Sequence, residues 1–89
     1  MLSFTREYTD GQYEFMASKF LEGNIVVLQN KLTGNVLKQY FTEDDETAIA
    51  LFESMLMCHK ERGNEALEAY TSGEYISDEL NGRIIKKVE

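Results

Sequence analysis

Three regularly spaced glycines constrain the fold of the first half of this chain. Gly11 lies in the pair DG, Gly23 in the stretch LEGN, and Gly34 in the pair TG. Glycine adopts backbone conformations that other residues avoid, so short segments that contain it are typical of the turns joining antiparallel strands. The sequence therefore predicts a β-meander, in which consecutive strands pair as hairpins.

The segments that flank these turns alternate as half-buried strands do. In MLSFTREY the residues Leu, Phe, Arg and Tyr alternate with Ser, Thr and Glu, and QYEFMASKF alternates similarly. IVVLQNKL and VLKQYF follow, so residues 1–41 are predicted to form four strands. The predicted fold class is α+β: an antiparallel four-stranded β-meander, or a five-stranded one if the C-terminus adds a strand, covered on one face by a long α-helix.

Residues 42–63 are predicted to form this long helix. Thr42 is a favourable N-cap residue, Asp45 lies three residues later as in a capping box, and Gly63 is a typical C-terminal stop. At about 3.6 residues per turn, one arc of the helix contains most of its apolar residues and the single histidine. This arc consists of Ala48, Ile49, Leu51, Phe52, Met55, Leu56 and His59.

The C-terminal third is predicted to contain short helical segments in residues 64–81 and a terminal strand in residues 82–89. Asn64 can cap the segment EALEAYTS, which ends near Gly73. The pair Asn81-Gly82 is a strong hairpin signal, whereas Ser77 before Asp-Glu-Leu is typical of one helical turn. We favour the helical turn followed by a strand. With 89 residues, of which 43% are hydrophobic, residues 1–89 are predicted to form a single domain.

Acidic residues are concentrated in the predicted helical layer. Residues 1–42 contain four acids and four bases, whereas residues 43–82 contain eleven acids and two bases, Lys60 and Arg62. The eleven acids are Glu43, Asp44, Asp45, Glu46, Glu53, Glu61, Glu65, Glu68, Glu74, Asp78 and Glu79. Such a layer repels phosphates, so we expect no direct nucleic-acid binding and instead a protein partner with a basic surface. The alternative is that the charge serves solubility alone.

Catalytic and metal-binding signatures are absent from the sequence. Cys58 and His59 are adjacent, and neighbours in sequence diverge on a helix surface, so they do not form a nucleophile and base pair. One histidine and one cysteine cannot supply a zinc site, and TEDDET lacks the spaced oxygens and glycine of a calcium loop. We therefore expect no enzyme activity, no cofactor and no metal. His59 is expected to be structural, through a hydrogen bond to a nearby carbonyl or through the helix dipole.

The single cysteine and the short apolar runs bear on location. One cysteine cannot form an intramolecular disulfide, and the longest apolar runs, IVVL and AIALF, are far shorter than the roughly 20 residues that span a bilayer. No secretory signal pattern is found at the N-terminus. The sequence predicts a cytoplasmic protein that does not contact membranes.

In size, acidity and architecture, and in lacking catalytic groups, the chain resembles small phage-encoded inhibitors of bacterial defence systems, anti-CRISPR proteins among them. The resemblance covers the whole chain, includes no specific motif and transfers no functional residue. It implies a non-enzymatic inhibitor of a basic, nucleic-acid-handling protein in the host cytoplasm, with the acidic layer mimicking nucleic acid. The alternatives are a structural or assembly subunit that self-associates, and a small enzyme or ligand-binding protein.

The stretch IVVL, residues 25–28, is apolar on both faces of its predicted strand. This pattern is expected of a strand covered on both sides, and the long helix can cover only one. The second face could be covered by Ile84, Ile85 and Val88 or by a second copy of the chain. The second case predicts a homodimer, and the residues proposed for its contact are Val26, Leu28, Val36 and Tyr40.

Overall fold

The computed structural model describes residues 5–88, with side chains for residues 5–84 other than 64 and 71. A five-stranded antiparallel sheet packs against a helical layer in an α+β fold. The strands are β1 (Thr5–Asp10), β2 (Tyr13–Phe20), β3 (Gly23–Asn30), β4 (Val36–Thr42) and β5 (Ile84–Val88). The helices are α1 (Asp45–Arg62), α2 (Ala66–Ser72) and α3 (Asp78–Arg83), and a 3-10 turn, Gly63–Glu65, joins the first two.

The strands lie in the sheet in the order in which they occur in the sequence. Every neighbouring pair is antiparallel, so the predicted β-meander is confirmed for β1 to β4. The helices are inserted between β4 and β5, which pairs with β4 as the fifth strand. Residues 1–4 of the first predicted strand and residue 89 of the last lie outside the described residues.

The core lies between one face of the sheet and the helices α1 and α2. In β2 the buried residues Tyr13, Phe15 and Ala17 alternate with half-buried ones, as the sequence predicts. Most of the predicted arc of α1 is buried, and Ile49 and Leu56 are half-buried at its margins. Buried residues that the arc omits are Thr47 and Cys58. The buried face of α1 is therefore wider than the predicted arc.

The long helix begins three residues later than the sequence predicts. Thr42 is the last residue of β4 and is buried, so the prediction that it caps the helix is wrong. The N-cap is Asp44, whose carboxylate accepts hydrogen bonds from the Thr47 N–H at 2.9 Å and from its hydroxyl at 2.7 Å. Sheet pairing holds Thr42 in the strand, and Asp is at least as good a cap as Thr. At the other end Gly63 is the C-cap, as predicted.

The C-terminal signals have mixed outcomes. Ser77 caps α3, and its hydroxyl accepts the Leu80 N–H at 3.2 Å. Asn81 and Gly82 lie inside α3, so the hairpin that they signal does not form and the helical turn is followed by β5. The predicted Asn64 cap is wrong, because this residue lies in the 3-10 turn and Glu65 takes the N-cap position of α2 without a side-chain bond.

Three of the four residues proposed for a dimer contact lie on the opposite face from the one proposed. Val26, Leu28 and Tyr40 are fully buried in the core against the helices. Val36 is exposed at the start of β4. The physical reason is register: Val26 pairs with Ala17 of β2 and with Tyr40 of β4, both core residues. Because IVVL is apolar throughout, its alternation does not reveal which residues face the helix.

Candidate protein-binding surfaces

The eleven predicted carboxylates all lie between β4 and β5, in the helices or in the segments next to them. Ten of them are exposed, and Asp45 is half-buried. They group at the two ends of α1, whose 18 residues span about 27 Å. We call Glu43, Asp44, Asp45 and Glu46 the N-terminal acidic patch. We call Glu61, Glu65, Glu68 and Glu74 the C-terminal acidic patch. Glu53 lies between the two patches along the helix, and Asp78 and Glu79 lie in α3.

Two carboxylates of the N-terminal acidic patch hold the fold together. Asp44 caps α1, and the hydrogen bonds from Thr47 lower the pKa of its carboxyl group. Asp45 forms an ion pair with Lys19 at the end of β2, and that hydrogen bond lowers the pKa of Asp45. Both groups are therefore ionised at neutral pH. Asp44 holds the first turn of α1, and Asp45 links that turn to the sheet. A change at either one alters the fold as well as the surface.

Two further carboxylates form ion pairs within the helical layer. Glu74 lies 2.8 Å from Arg62, and Glu79 lies 2.9 Å from Arg83 one helical turn later. Arg62 lines a cleft together with Glu65, Leu67, Glu68 and Glu74, so three carboxylates and one guanidinium group belong to the same cleft. The C-terminal acidic patch therefore keeps an excess of negative charge after this pairing.

A second surface, absent from the sequence-based predictions, is an apolar groove at the turn between β2 and β3. Its walls are Phe20, Leu21 and Phe41, with Glu22 and Glu43 also lining it. The two phenylalanine rings are 5.2 Å apart, and their neighbour Leu21 is 88% exposed. Leu21 also has a backbone φ of 56°, which is uncommon for residues other than glycine. The sequence did carry one signal for this groove. Leucine stands in a two-residue hairpin turn, where Gly, Asn or Asp is usual.

His59 is buried in this fold. Its Nε2 lies 2.8 Å from a carboxylate oxygen of Asp10 at the end of β1. The ring packs against Tyr13 and Phe15, with centroids 5.8 and 5.2 Å apart. From the sequence we expected a carbonyl oxygen as the partner of His59, and the structure has a side-chain carboxylate instead. The adjacent Cys58 is buried, and burial raises the pKa of its thiol, so it is a poor nucleophile at neutral pH.

Three tyrosines fill the space between α2 and the sheet. The hydroxyl groups of Tyr40 and Tyr75 are 2.9 Å apart, and burial raises the pKa of Tyr75. Burial also raises the pKa of Tyr70, whose hydroxyl is buried with no hydrogen-bond partner among the described residues. Tyr70 and Tyr75 are therefore neutral at physiological pH, and the three side chains contribute packing and one hydrogen bond to the core.

No set of three or more His, Cys, Asp and Glu side chains in the described part of the chain is arranged to hold a metal ion. None of the described helices is long and apolar enough to cross a membrane. Comparisons with protein-family models, with curated proteins and with solved structures find no match for this chain. Functional residues are therefore assigned from geometry and charge alone.

Proposed function

We propose that the protein binds a protein partner with a basic surface and inhibits it without catalysing a reaction. The observation that carries this proposal is the exposure of ten of the eleven carboxylates in residues 43–82, the helical layer and the segments that connect it. Exposed charges of this kind add little to stability, since a surface ion pair contributes about 0–1 kcal/mol. The same carboxylates facing Lys and Arg side chains would steer association and accept charge-assisted hydrogen bonds.

The carboxylates that remain for a partner are those without an internal role. Within the described side chains, no ion pair or side-chain hydrogen bond engages Glu43, Glu46, Glu53, Glu61, Glu65 or Asp78. Four of these belong to helices that pack against the core or against α1. Because the backbone that presents them is fixed, binding would require less ordering than binding by a flexible acidic tail.

The net charge of the helical layer supports mimicry of a nucleic acid. Residues 43–82 carry eleven acids and two bases, a net charge of 2 − 11 = −9. A surface of this charge complements a basic groove that normally holds phosphates. We therefore propose that the partner is a nucleic-acid-handling protein, of the kind that phage anti-defence proteins inhibit, and that the acidic layer occupies its basic groove.

Self-association through the other sheet face has less support. On that face Ile25 is 9% exposed and Val27 is 6% exposed, because side chains of β2 and β4 flank them. Little apolar area is left there for a second copy to bury. Sedimentation equilibrium at micromolar concentrations distinguishes this alternative from the proposal by giving the mass of the species in solution.

The test compares two variants with the same change in total charge. Glu61→Lys with Glu65→Lys reverses two exposed carboxylates of the C-terminal acidic patch, a change of 2 + 2 = 4 units. The control carries Thr5→Lys, Glu7→Lys and Thr9→Lys, all exposed on β1, a change of 1 + 2 + 1 = 4 units. A partner purified from the native host is then titrated with each variant by calorimetry.

We expect the helical variant to bind at least tenfold more weakly, about 1.4 kcal/mol, and the control to bind nearly as well as the original protein. Binding should also weaken with added salt, which screens exposed charges over about 8 Å at physiological ionic strength. Equal losses in the two variants would mean that total charge matters and its location does not, as the solubility interpretation holds. Displacement of a bound single-stranded oligonucleotide from the partner tests the mimicry.

A further inference from the structure

The apolar groove combines exposure with an unfavourable backbone conformation. Leu21 is 88% exposed, so its side chain adds almost nothing to the core, and Phe20 on the neighbouring wall is 41% exposed. The φ of 56° at Leu21 brings its Cβ close to the backbone, a conformation that glycine and asparagine adopt more readily. Neither the fold nor the turn therefore favours leucine at this position. An outlier of this kind is a reason to look for a role in binding.

The shape of the groove is fixed by the close approach of β3 and β4. A Cβ atom added to Gly23 would lie 2.6 Å from the Thr42 carbonyl oxygen, so no side chain fits between the strands at this point. The two rings, Phe20 and Phe41, stand beside this glycine with centroids 5.2 Å apart. The resulting groove of about 760 Å³ falls in the roughly 300–1,000 Å³ range of ligand pockets.

Charge around the groove selects among occupants. Glu22 and Glu43 line it and both are exposed, and Glu43 also belongs to the N-terminal acidic patch. A phosphate-bearing membrane or nucleic acid would be repelled by these carboxylates. A second copy of the chain would place the same two carboxylates opposite their own counterparts, at a net charge of −7 per chain. A cationic segment is the occupant that the rim favours.

We propose that this groove receives an apolar side chain of the partner that is flanked by Lys or Arg residues. The inference rests on the proposed function and adds an apolar anchor to a contact otherwise made of charges. Binding energy at protein interfaces is concentrated in a few residues that fill well-packed apolar pockets, with polar groups around them. Leu21 and the two rings would supply such a pocket, and Glu22 and Glu43 would supply its polar rim.

The test uses two synthetic peptides of equal charge. One is acetylated, amidated Lys-Lys-Leu-Leu-Lys-Lys, and in the other both leucines are replaced by serine. Each is titrated into isotopically labelled protein and followed by NMR. We expect the leucine peptide to bind at least tenfold more tightly than the serine peptide, with the largest shift changes at residues 20–23 and 41–43.

The decisive variant is Leu21→Asn, because asparagine tolerates this backbone conformation and removes the apolar side chain. We expect its melting temperature to rise by a few degrees and its affinity for the leucine peptide to fall to that for the serine peptide. Leu32→Asn is the matched control, since Leu32 is 78% exposed in the turn between β3 and β4, at the other end of the sheet. It should leave both affinities unchanged. A purely structural role for Leu21 would lower stability and binding together.

The outcomes separate this inference from the proposed function. If both peptides bind equally well and shift residues of the acidic patches, charge recognition stands and the apolar anchor is overturned. If the leucine peptide binds as tightly to the Leu21→Asn variant as to the original protein, the groove is likewise excluded as its site. Signals of residues 20–23 that change with protein concentration alone would assign the groove to a second copy. If neither peptide binds at millimolar concentration, the anchor is rejected, and the partner titration still decides the proposed function.

Discussion

The cap of α1 provides a quantitative test of how the first turn of the acidic helical layer is held. Replacing Asp44 by alanine removes the acceptor of the Thr47 N–H and of the Thr47 hydroxyl, which are 2.9 and 2.7 Å from the carboxylate. Loss of an N-cap costs about 1 kcal/mol. Thr47 is fully buried, so leaving its hydroxyl without this acceptor adds about 1 kcal/mol. We expect a total of about 2 kcal/mol, or a fall in Tm of roughly 8–16 °C for a domain of this size.

The assay is urea denaturation followed by circular dichroism, with unfolding free energies compared at constant m. Asp44→Asn keeps an acceptor and should lose only about 0.5 kcal/mol, the contribution of the charge near the helix N-terminus. Glu46→Ala, at an exposed site in the same turn, is the control for that charge. In a Thr47→Val background Asp44→Ala should cost about 1 kcal/mol less, since the hydroxyl has already been removed. Equal costs in both backgrounds, or a cost no larger than that of Glu46→Ala, would refute this account of the cap.

The same carboxylate makes stability depend on pH with a defined sign. The hydrogen bonds from Thr47 hold the pKa of Asp44 below its ordinary value of 3.8 in the folded state. Its contribution to the free energy of unfolding is therefore fully present above that value and is lost as the pH falls through the lowered pKa. The Asp44→Asn variant should lose less stability between pH 5 and about pH 2 than the original protein does.

Two further substitutions test the packing. Gly23→Ala places a Cβ 2.6 Å from the Thr42 carbonyl oxygen. We therefore expect the free energy of unfolding, measured in urea, to fall by about 1–3 kcal/mol. Gly82→Ala is the control, because its Cβ meets no atom within 4 Å and should not lower stability. His59→Gln, combined with Cys58→Ser, should lower the Tm because both residues are buried, yet leave partner affinity unchanged after correction for the folded fraction; abolished activity at an unchanged Tm would instead assign these residues to chemistry.

Local patterns were sufficient to predict the sheet and the long helix. The turns near Gly11 and Gly34 and the alternation in QYEFMASKF depend on residues close in sequence, and the structure has the same hairpins. The turn predicted at LEGN is formed by Leu21 and Glu22, and Gly23 is the first residue of β3. The start of α1 was misplaced because Thr42 is held in β4 by pairing with Asn24 of β3 and Ile84 of β5, both distant from it in sequence. Pairing over that distance outweighs a local capping preference.

The roles of individual carboxylates could not be read from the sequence for the same reason. Asp45 pairs with Lys19, which is 26 positions away. Glu74 pairs with Arg62, from which it is separated by the 3-10 turn and α2. The sequence could not show which residues of IVVL point towards the helices, because both faces of this strand are apolar. Only the register of Val26 with Ala17 and Tyr40 places it in the core. Composition thus predicted that a charged layer exists, and tertiary contacts determine which of its members are available.

The insertion of the helical layer between two paired strands has a consequence for its motion. Thr42 at the end of β4 and Ile84 at the start of β5 are directly opposite each other, so residues 43–83 form a loop whose two ends are fastened at one place. All eleven carboxylates of the helical layer lie within this loop. It cannot swing on a single hinge as a lid does, because release of its C-terminal end requires β5 to leave the sheet edge. The charged surface should therefore keep its arrangement during an encounter, and amide hydrogens should exchange more slowly in α1, which has seven buried residues, than in α3, which has none.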